Sequence, residues 1–352
     1  MTDQSRSQRL ETLDGLRGIA ALIVVVSHAA SFGMLPARLG GGFGQIGVCL
    51  FFALSGFLMM RLYGTGPFDA ARLRSYAIAR AARVLPLFYL CLGLATLSYL
   101  LTGVSGYGFR SFSDALRAAV LWRGTSVLWT IPAEIHFYAL FPLLWWATAR
   151  GHAVSGFAAL IGVSLIAHVG DAAGLWQLRP LMLPTWLHFF TAGALMGWAS
   201  TLYPDPTHEN GPLRPVTFFA LLLLPLLPPG VRFGLGLPVY PTLYDPLMTL
   251  YPLLILWLAY RQSGLLSALA HPLFRALGTI SFGIYLIHQP VAVLITRWNP
   301  EALSGGGRFV LLLALTLWLS WLSYTRFERP ILDWSRRRAT APEAKPEPVP
   351  AE

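Results

Sequence analysis

Arg17 and His28 stand in one apolar run, LDGLRGIAALIVVVSHAA, from Leu13 to Ala30. Eleven positions separate them, about 16 Å along a helix axis. A helix entering a bilayer at Arg17 therefore carries His28 to near mid-depth of a hydrocarbon core about 30 Å thick. An ionisable side chain at that depth is expensive and marks a functional site. Imidazole gains and loses a proton near neutral pH, so proton transfer is the chemistry on offer. Arg72, Arg80 and Arg83 are eight and three residues apart and share one helix face. That basic face suits either anionic lipid headgroups or the phosphates of a ligand. Glu134 follows Pro132 in the first turn of an expected helix, where the helix dipole favours a carboxylate and a plain capping role is a sufficient explanation. Ser281, Tyr285 and His288, spaced by four and three, share a helix face and can point together into a bundle. Packing and interhelical hydrogen bonds are the bland reading of that face.

The elements that must position these residues are membrane helices. Of the 352 residues, 55% are hydrophobic and only 12% charged, and the mean hydropathy is +0.57. A soluble domain carries about 25% charged residues, so the expected fold is all-α, a polytopic helix bundle. Ten spans are expected, near 16–35, 44–62, 84–103, 133–149, 153–169, 181–199, 215–230, 243–260, 277–296 and 309–327. They form one membrane domain over residues 1–338, followed by a Pro- and Glu-rich tail, 339–352, expected to be disordered.

The net charge of +10 rests on 26 basic residues, all arginine except Lys345. Arginines gather at the ends of the apolar runs. With the N-terminus inside, 18 of the 26 fall on the cytoplasmic side, which predicts both termini in the cytoplasm. The charge thus reports topology and calls for no nucleic acid. Cys49 and Cys91 lie inside apolar runs without ligand spacing, so neither a disulfide nor a metal site is expected. The polar, acid-containing start MTDQSRSQRLETLDG suits a retained first helix rather than a signal peptide.

The connecting segments add little. SFSDALRAAVLW is amphipathic and belongs at the interface or in a re-entrant loop. His168 and His188 flank an outer turn with Asp171 and Arg179, and His208 and Glu209 lie in a Pro-rich loop. The three histidines read as solvated or interfacial, and Asp245 reads as a helix cap.

Six motifs in order across nearly the whole chain resemble the acyltransferase-3 family of integral-membrane O-acyltransferases. They are LDGLRGIAALIVVVSH with Arg17 and His28, FFALSGFLM from Phe51 to Met59, the pair Arg80 and Arg83, LWTIPAEIHFYALFPLL around Glu134, SFGIYLIHQP from Ser281 to Pro290, and FERP from Phe327 to Pro330. The chain departs from the family pattern at Ile131. The resemblance implies ten membrane helices and transfer of an acetyl or other short acyl group from acyl-CoA to a hydroxyl of a carbohydrate or glycosylated acceptor. It implies Arg17, Arg80 and Arg83 as the donor-phosphate site, the guanidinium fork matching phosphate. His28 then acts as general base on the acceptor hydroxyl, which is a poor nucleophile at neutral pH, with Glu134 orienting the other ring nitrogen. Ser281, Tyr285 and His288 would line the acceptor path or hold the oxyanion, and a covalent acyl relay remains open. No tightly bound cofactor is expected; acyl-CoA is the donor substrate, membrane lipid surrounds the protein, and a bacterial inner membrane is the expected location. Some members of the family also carry a C-terminal extracytoplasmic hydrolase-like domain, which is not expected in this chain.

Three other classes compete. A proton-coupled transporter or flippase of a glycan or lipid precursor would use His28 and Glu134 as a relay, but its paired broken-helix repeat is missing from the sequence. A lipid-linked-sugar glycosyltransferase needs acids in the first outer loop, and Ser31 to Gln45 contains none. A haem protein would need facing histidines, for which His28 and His288 are the available pair.

Overall fold

The computed structural model describes residues 3–177, 183–202, 213–239, 246–298 and 303–340, and no strand occurs among them. The helices are α1 (Asp3–Ser31), α2 (Gly44–Met59), α3 (Ala70–Thr102), α4 (Phe112–Ala119), α5 (Thr130–Ala149), α6 (Ala153–Ala172), α7 (Leu183–Leu202), α8 (Leu213–Leu223), α9 (Pro229–Gly234), α10 (Pro246–Tyr260), α11 (Pro272–Thr279), α12 (Ser281–Trp298), α13 (Gly305–Ser323) and α14 (Arg329–Thr340). Six helical stretches are long and apolar enough to cross a membrane, and two pairs bent by 71° (α10 and Gly264–Ala270) and 64° (α11 and α12) bring the number to eight. Every one of the ten expected runs falls on an apolar helix. Two of them, on α7 and on the shorter Leu213–Leu226, lie outside those eight, so ten is approximate. Arg179, His208, Glu209, Asp245 and the tail from residue 341 lie outside the described residues.

α2 is the central helix. In its stretch, Ala37–Gly64, 78% of the apolar window is buried, against 17% in Gly305–Arg338 at the periphery. α2 packs on α7, α1 and α10. Without a hydrophobic force between helices in lipid, close backbone approach holds such pairs, and small residues permit it. Gly56 on α2 lies against the Phe190 carbonyl and Gly193 on α7 against the Ala53 carbonyl, leaving no room for a Cβ at either position. Phe52, Phe190 and Phe137 stack beside this contact, at 4.4 and 4.3 Å between centroids.

The basic stretch between the second and third expected spans is helical and continuous with the third span. Asp69 caps α3 by accepting from the Arg72 amide at 2.8 Å, and α3 then runs unbroken for 33 residues to Gly103, whose φ of +71° ends it. A glycine at that left-handed position terminates a helix without Cβ strain. Arg80 and Arg83 are therefore carried on the same rigid rod as the third span.

Two prolines inside helices are matched by two tyrosines. Pro142 in α5 and Pro290 in α12 lack an amide hydrogen, which leaves the carbonyl four residues earlier without its helical donor. Those carbonyls belong to Tyr138 and Leu286. The Tyr76 hydroxyl on α3 donates to the Tyr138 carbonyl at 2.9 Å. The Tyr107 hydroxyl donates to the Leu286 carbonyl at 3.0 Å. Both tyrosines are about fully buried, at 2% and 1% exposure, so each bond fills a group that water does not reach. Tyr107→Phe is expected to destabilise the fold by about 1–3 kcal/mol by orphaning the Leu286 carbonyl. Combining it with Pro290→Ala, which restores the missing amide, should cost less than the sum of the two single changes. Thermal unfolding of the three variants in detergent checks this; strict additivity would break the pairing.

Candidate active site

The α1, α2, α3, α5 and α12 helices enclose a cavity of about 290 Å³. Its lining brings together six of the eight residues that the family resemblance assigns to the site: Arg17, Arg80, Arg83, Glu134, Ser281 and Tyr285. Arg17 comes from the start of the α1 span, where it pairs loosely with Asp14 at 3.9 Å. Arg80 and Arg83 lie one turn apart on α3. Arg80 is held between aromatic rings, its guanidinium carbon 5.9 Å from the Tyr63 centroid and 6.0 Å from that of Tyr138. Its Nε is buried with no hydrogen-bond partner among the described residues. Arg83 interacts electrostatically with Arg17 and Arg80, both like charges, and with the buried Glu328 of the closing FERP motif. Three cations gathered at one low-dielectric cavity form an anion-binding arrangement. Arg72 does not join them: it is exposed and paired with Asp69 at 3.5 Å.

Glu134 sits inside this cavity as a hydrogen-bond acceptor rather than beside His28. Its Oε1 accepts from the Ser55 hydroxyl at 3.0 Å and from the Tyr138 hydroxyl one turn along α5. The expected Glu134 to His28 contact is therefore corrected. α5 turns Glu134 toward α2 and α3, whereas the His28 ring faces α12, and each side chain has its own partners. Ser55 and Tyr138, which also line the cavity, were missed as site residues from the sequence, although both lie inside quoted motifs. Tyr138 follows Glu134 at helical spacing of four, the signal that would have found it.

Ser281, Thr130 and Tyr285 also line the cavity. The Ser281 hydroxyl donates to the Gly278 carbonyl at 2.8 Å, a local backbone bond at the bend between α11 and α12. The Tyr285 hydroxyl donates to the Val127 carbonyl at 3.0 Å and accepts from Thr130 at 3.1 Å. Tyr285 is thereby pinned against the start of α5.

His28 and His288 lie beyond Tyr285 and are not part of the cavity lining. The Tyr285 and His288 rings are 6.2 Å apart. His28 Nδ1 and His288 Nε2 approach to 2.8 Å, with the rings stacked at 5.1 Å. His288 Nδ1 lies 2.9 Å from the Ile284 carbonyl. The direct nitrogen-to-nitrogen contact leaves no space for an iron between the two rings, which removes the facing-histidine haem arrangement. His288 was expected in the acceptor path with Ser281 and Tyr285; the helix face is shared as expected, but His288 points past the cavity to its partner histidine.

The other histidine pair is also displaced from its expected place. His168 and His188 are half-buried between α6 and α7, with ring centroids 5.2 Å apart, and His168 Nδ1 donates to the Ser164 carbonyl at 2.8 Å. Helix packing, not solvent, sets their environment. Cys49 and Cys91 are free thiols.

A helix bundle of this kind, with arginines on an internal cavity and a histidine deep in the first helix, defines a multi-pass integral membrane protein with a buried polar cavity. The chain belongs to the acyltransferase-3 family: the family's acyltransferase-domain model matches residues 10–325. It is 27% identical to the putative membrane-bound transacylase BcsY of Komagataeibacter xylinus, over 95% of this chain and 86% of that protein. It is 24% identical to the peptidoglycan O-acetyltransferase OatA of Listeria monocytogenes, over 91% of this chain and 55% of that one. A shorter match, 38% identical, covers 29% of this chain and 52% of protein 2 in the picA locus of Rhizobium radiobacter. The chain thus spans about half the length of two of these three relatives. No solved structure matches it.

Proposed function

We propose that this protein transfers a short acyl group from acyl-CoA to a hydroxyl of a carbohydrate or glycosylated acceptor, with His28 as general base. The observation that carries the reading is the convergence of Arg17, Arg80 and Arg83 on one cavity. Acyl-CoA brings several phosphate charges and a flexible arm ending in a thioester. A cavity of about 290 Å³ is near the lower end of ligand pockets, roughly 300–1,000 Å³, and accepts phosphates and arm rather than the whole donor. The nucleotide remains at the mouth, beside Asp14 and Arg17. The positive-inside bias supports a cytoplasmic mouth, the side where acyl-CoA is made.

The thioester moves along the cavity toward Tyr285, and the acceptor approaches His28 from the opposite side. Tyr285 separates the two, so reaction requires it to release its bonds to Val127 and Thr130. Glu134, held by Ser55 and Tyr138, supplies negative charge that keeps the arginine cluster from repelling itself apart. In the transfer, the hydroxyl proton goes to His28 as the oxygen attacks the thioester carbonyl carbon. The carbon–sulfur bond breaks, and the departing thiolate takes up a proton to leave as CoA thiol. The relatives named as a transacylase and as a peptidoglycan O-acetyltransferase support the acyl chemistry and the carbohydrate class of acceptor.

Purified protein in nanodiscs is expected to release free thiol from acetyl-CoA when a glycan acceptor is present. With S-acetyl-pantetheine, which carries the same thioester but no phosphate, KM should rise by at least tenfold while the maximal rate changes little. Equal KM values for the two donors would overturn the phosphate role of the arginines, and no thiol release under any condition would favour the transporter reading.

A further inference from the structure

The hydrogen bonds around His288 determine which nitrogen of His28 is free to act. A carbonyl oxygen only accepts, so the contact at 2.9 Å between His288 Nδ1 and the Ile284 carbonyl requires the hydrogen on Nδ1. The side chain is completely buried, at 0% exposure, and a second proton would place an unpaired charge there, which is costly. His288 Nε2 is therefore a lone pair. It lies 2.8 Å from His28 Nδ1, and two lone pairs do not approach so closely without a proton between them. The hydrogen on this contact thus belongs to His28 Nδ1. A neutral imidazole carries one hydrogen, so His28 Nε2 is left bare.

We propose that His288 is the positioning residue for His28: through the Ile284 carbonyl it holds His28 as the Nδ1–H tautomer and presents Nε2 as the base. The proposal rests on the reading of His28 as general base and adds the source of its orientation, a task the sequence suggested for Glu134. The chain of acceptors and donors runs from the Ile284 backbone carbonyl through His288 to His28, so α12 sets the ring plane and the tautomer together. Stacking of the two rings at 5.1 Å restricts rotation of His28 as well. When the acceptor hydroxyl gives its proton to Nε2, the charge that forms on His28 is stabilised by the bond from Nδ1–H to His288 Nε2, as a carboxylate stabilises the imidazolium in a serine-hydrolase triad. No proton need leave the pair, and the Nε2 proton is available to the departing thiolate.

The test compares His288→Ala, His288→Gln and His28→Ala in the full-length protein in nanodiscs, with acetyl-CoA and glycan. His288→Ala is expected to lower kcat by about 100-fold with KM for acetyl-CoA within twofold of the parent. His288→Gln presents an amide oxygen that only accepts from Nδ1–H, keeps the tautomer, and should recover at least tenfold of that loss. A helix-packing role alone would not distinguish a carbonyl-bearing side chain from alanine in this way. Nitrogen-15 NMR of labelled histidine gives a second readout: the bare-nitrogen signal of His28 is expected at Nε2 in the parent and in His288→Gln, and mixed between both nitrogens in His288→Ala. Full activity in His288→Ala, or the bare nitrogen at Nδ1 in the parent, overturns the proposal. Loss in His28→Ala together with full activity in His288→Ala would overturn the positioning role alone, whereas full activity in His28→Ala would remove the general base itself.

Discussion

His28→Ala is expected to lower kcat for acyl transfer by two to four orders of magnitude, about the contribution of a positioned general base, while the protein still inserts and elutes as the parent does. The expectation follows from where the ring sits. His28 is half-buried in α1, with one nitrogen engaged by His288 at 2.8 Å, so alanine removes the base and leaves His288 Nε2 without its donor. The stability loss is confined to that one orphaned acceptor, about 1–3 kcal/mol, which a bundle with an extensive α2 and α7 interface tolerates. Donor binding should be preserved, because the three arginines lie beyond Tyr285 in a separate cavity. The deciding measurement is therefore paired: thiol release for the chemistry and acetyl-CoA binding for the site. An undiminished rate would sink the base assignment. A lost rate accompanied by lost donor binding would instead point to a collapse of the bundle between α1 and α12.

Arg80→Gln and Arg83→Gln should each raise KM for acetyl-CoA by about 10- to 150-fold, the equivalent of about 1.5–3 kcal/mol for a hydrogen bond to a charged group. The two need not be equal. Arg83 has Glu328 as a neighbouring counter-charge, and removing its guanidinium leaves that buried carboxylate uncompensated, so Arg83→Gln is expected to reduce folding yield more than Arg80→Gln. Arg80 is held by the Tyr63 and Tyr138 rings, with its Nε unfilled, and its loss should fall on the donor. Lysine at position 80 restores charge without the planar fork and is expected to recover only part of the affinity. The informative control is S-acetyl-pantetheine: the Arg80→Gln penalty should shrink toward unity with this phosphate-free donor. A penalty of the same size with both donors would mean that Arg80 shapes the cavity without contacting phosphate.

The class of protein was legible before any coordinates, because apolar runs of membrane length are a property of the chain itself: a segment that crosses lipid must satisfy its backbone internally and so must be helical. The number of spans was less legible. The expected run 277–296 takes in only the last turn of α11 before a 64° bend leads into α12, and a hydropathy window counts apolar residues without registering where an axis turns. The basic stretch from Arg72 to Arg83 was read as one helix face, and α3 carries it as such, yet Arg72 is drawn to Asp69 at the cap while Arg80 and Arg83 reach the cavity. Periodicity identifies a face; it does not say how far along the helix the neighbouring wall extends.

Local sequence determined the helices, their caps and the residue types available for chemistry, since these depend on spacing within 3.6-residue turns and on the lone pairs and charges each side chain carries. The match of Pro142 to Tyr76 and of Pro290 to Tyr107 came only with the tertiary structure, because a missing amide is local and the hydroxyl that replaces it is 66 or 183 residues away. The same holds for the partner of His28. Glu134 and His288 were both ionisable residues on helices expected to face the bundle, and nothing in their spacing ranks one above the other. Helix packing alone selects between them: α12 lies against α1 and brings His288 to 2.8 Å from His28, while α5 presents Glu134 to Ser55 of α2 and to Tyr138 one turn along α5. A hydrogen bond is decided over a few ångströms, and only the fold sets distances between residues 260 positions apart.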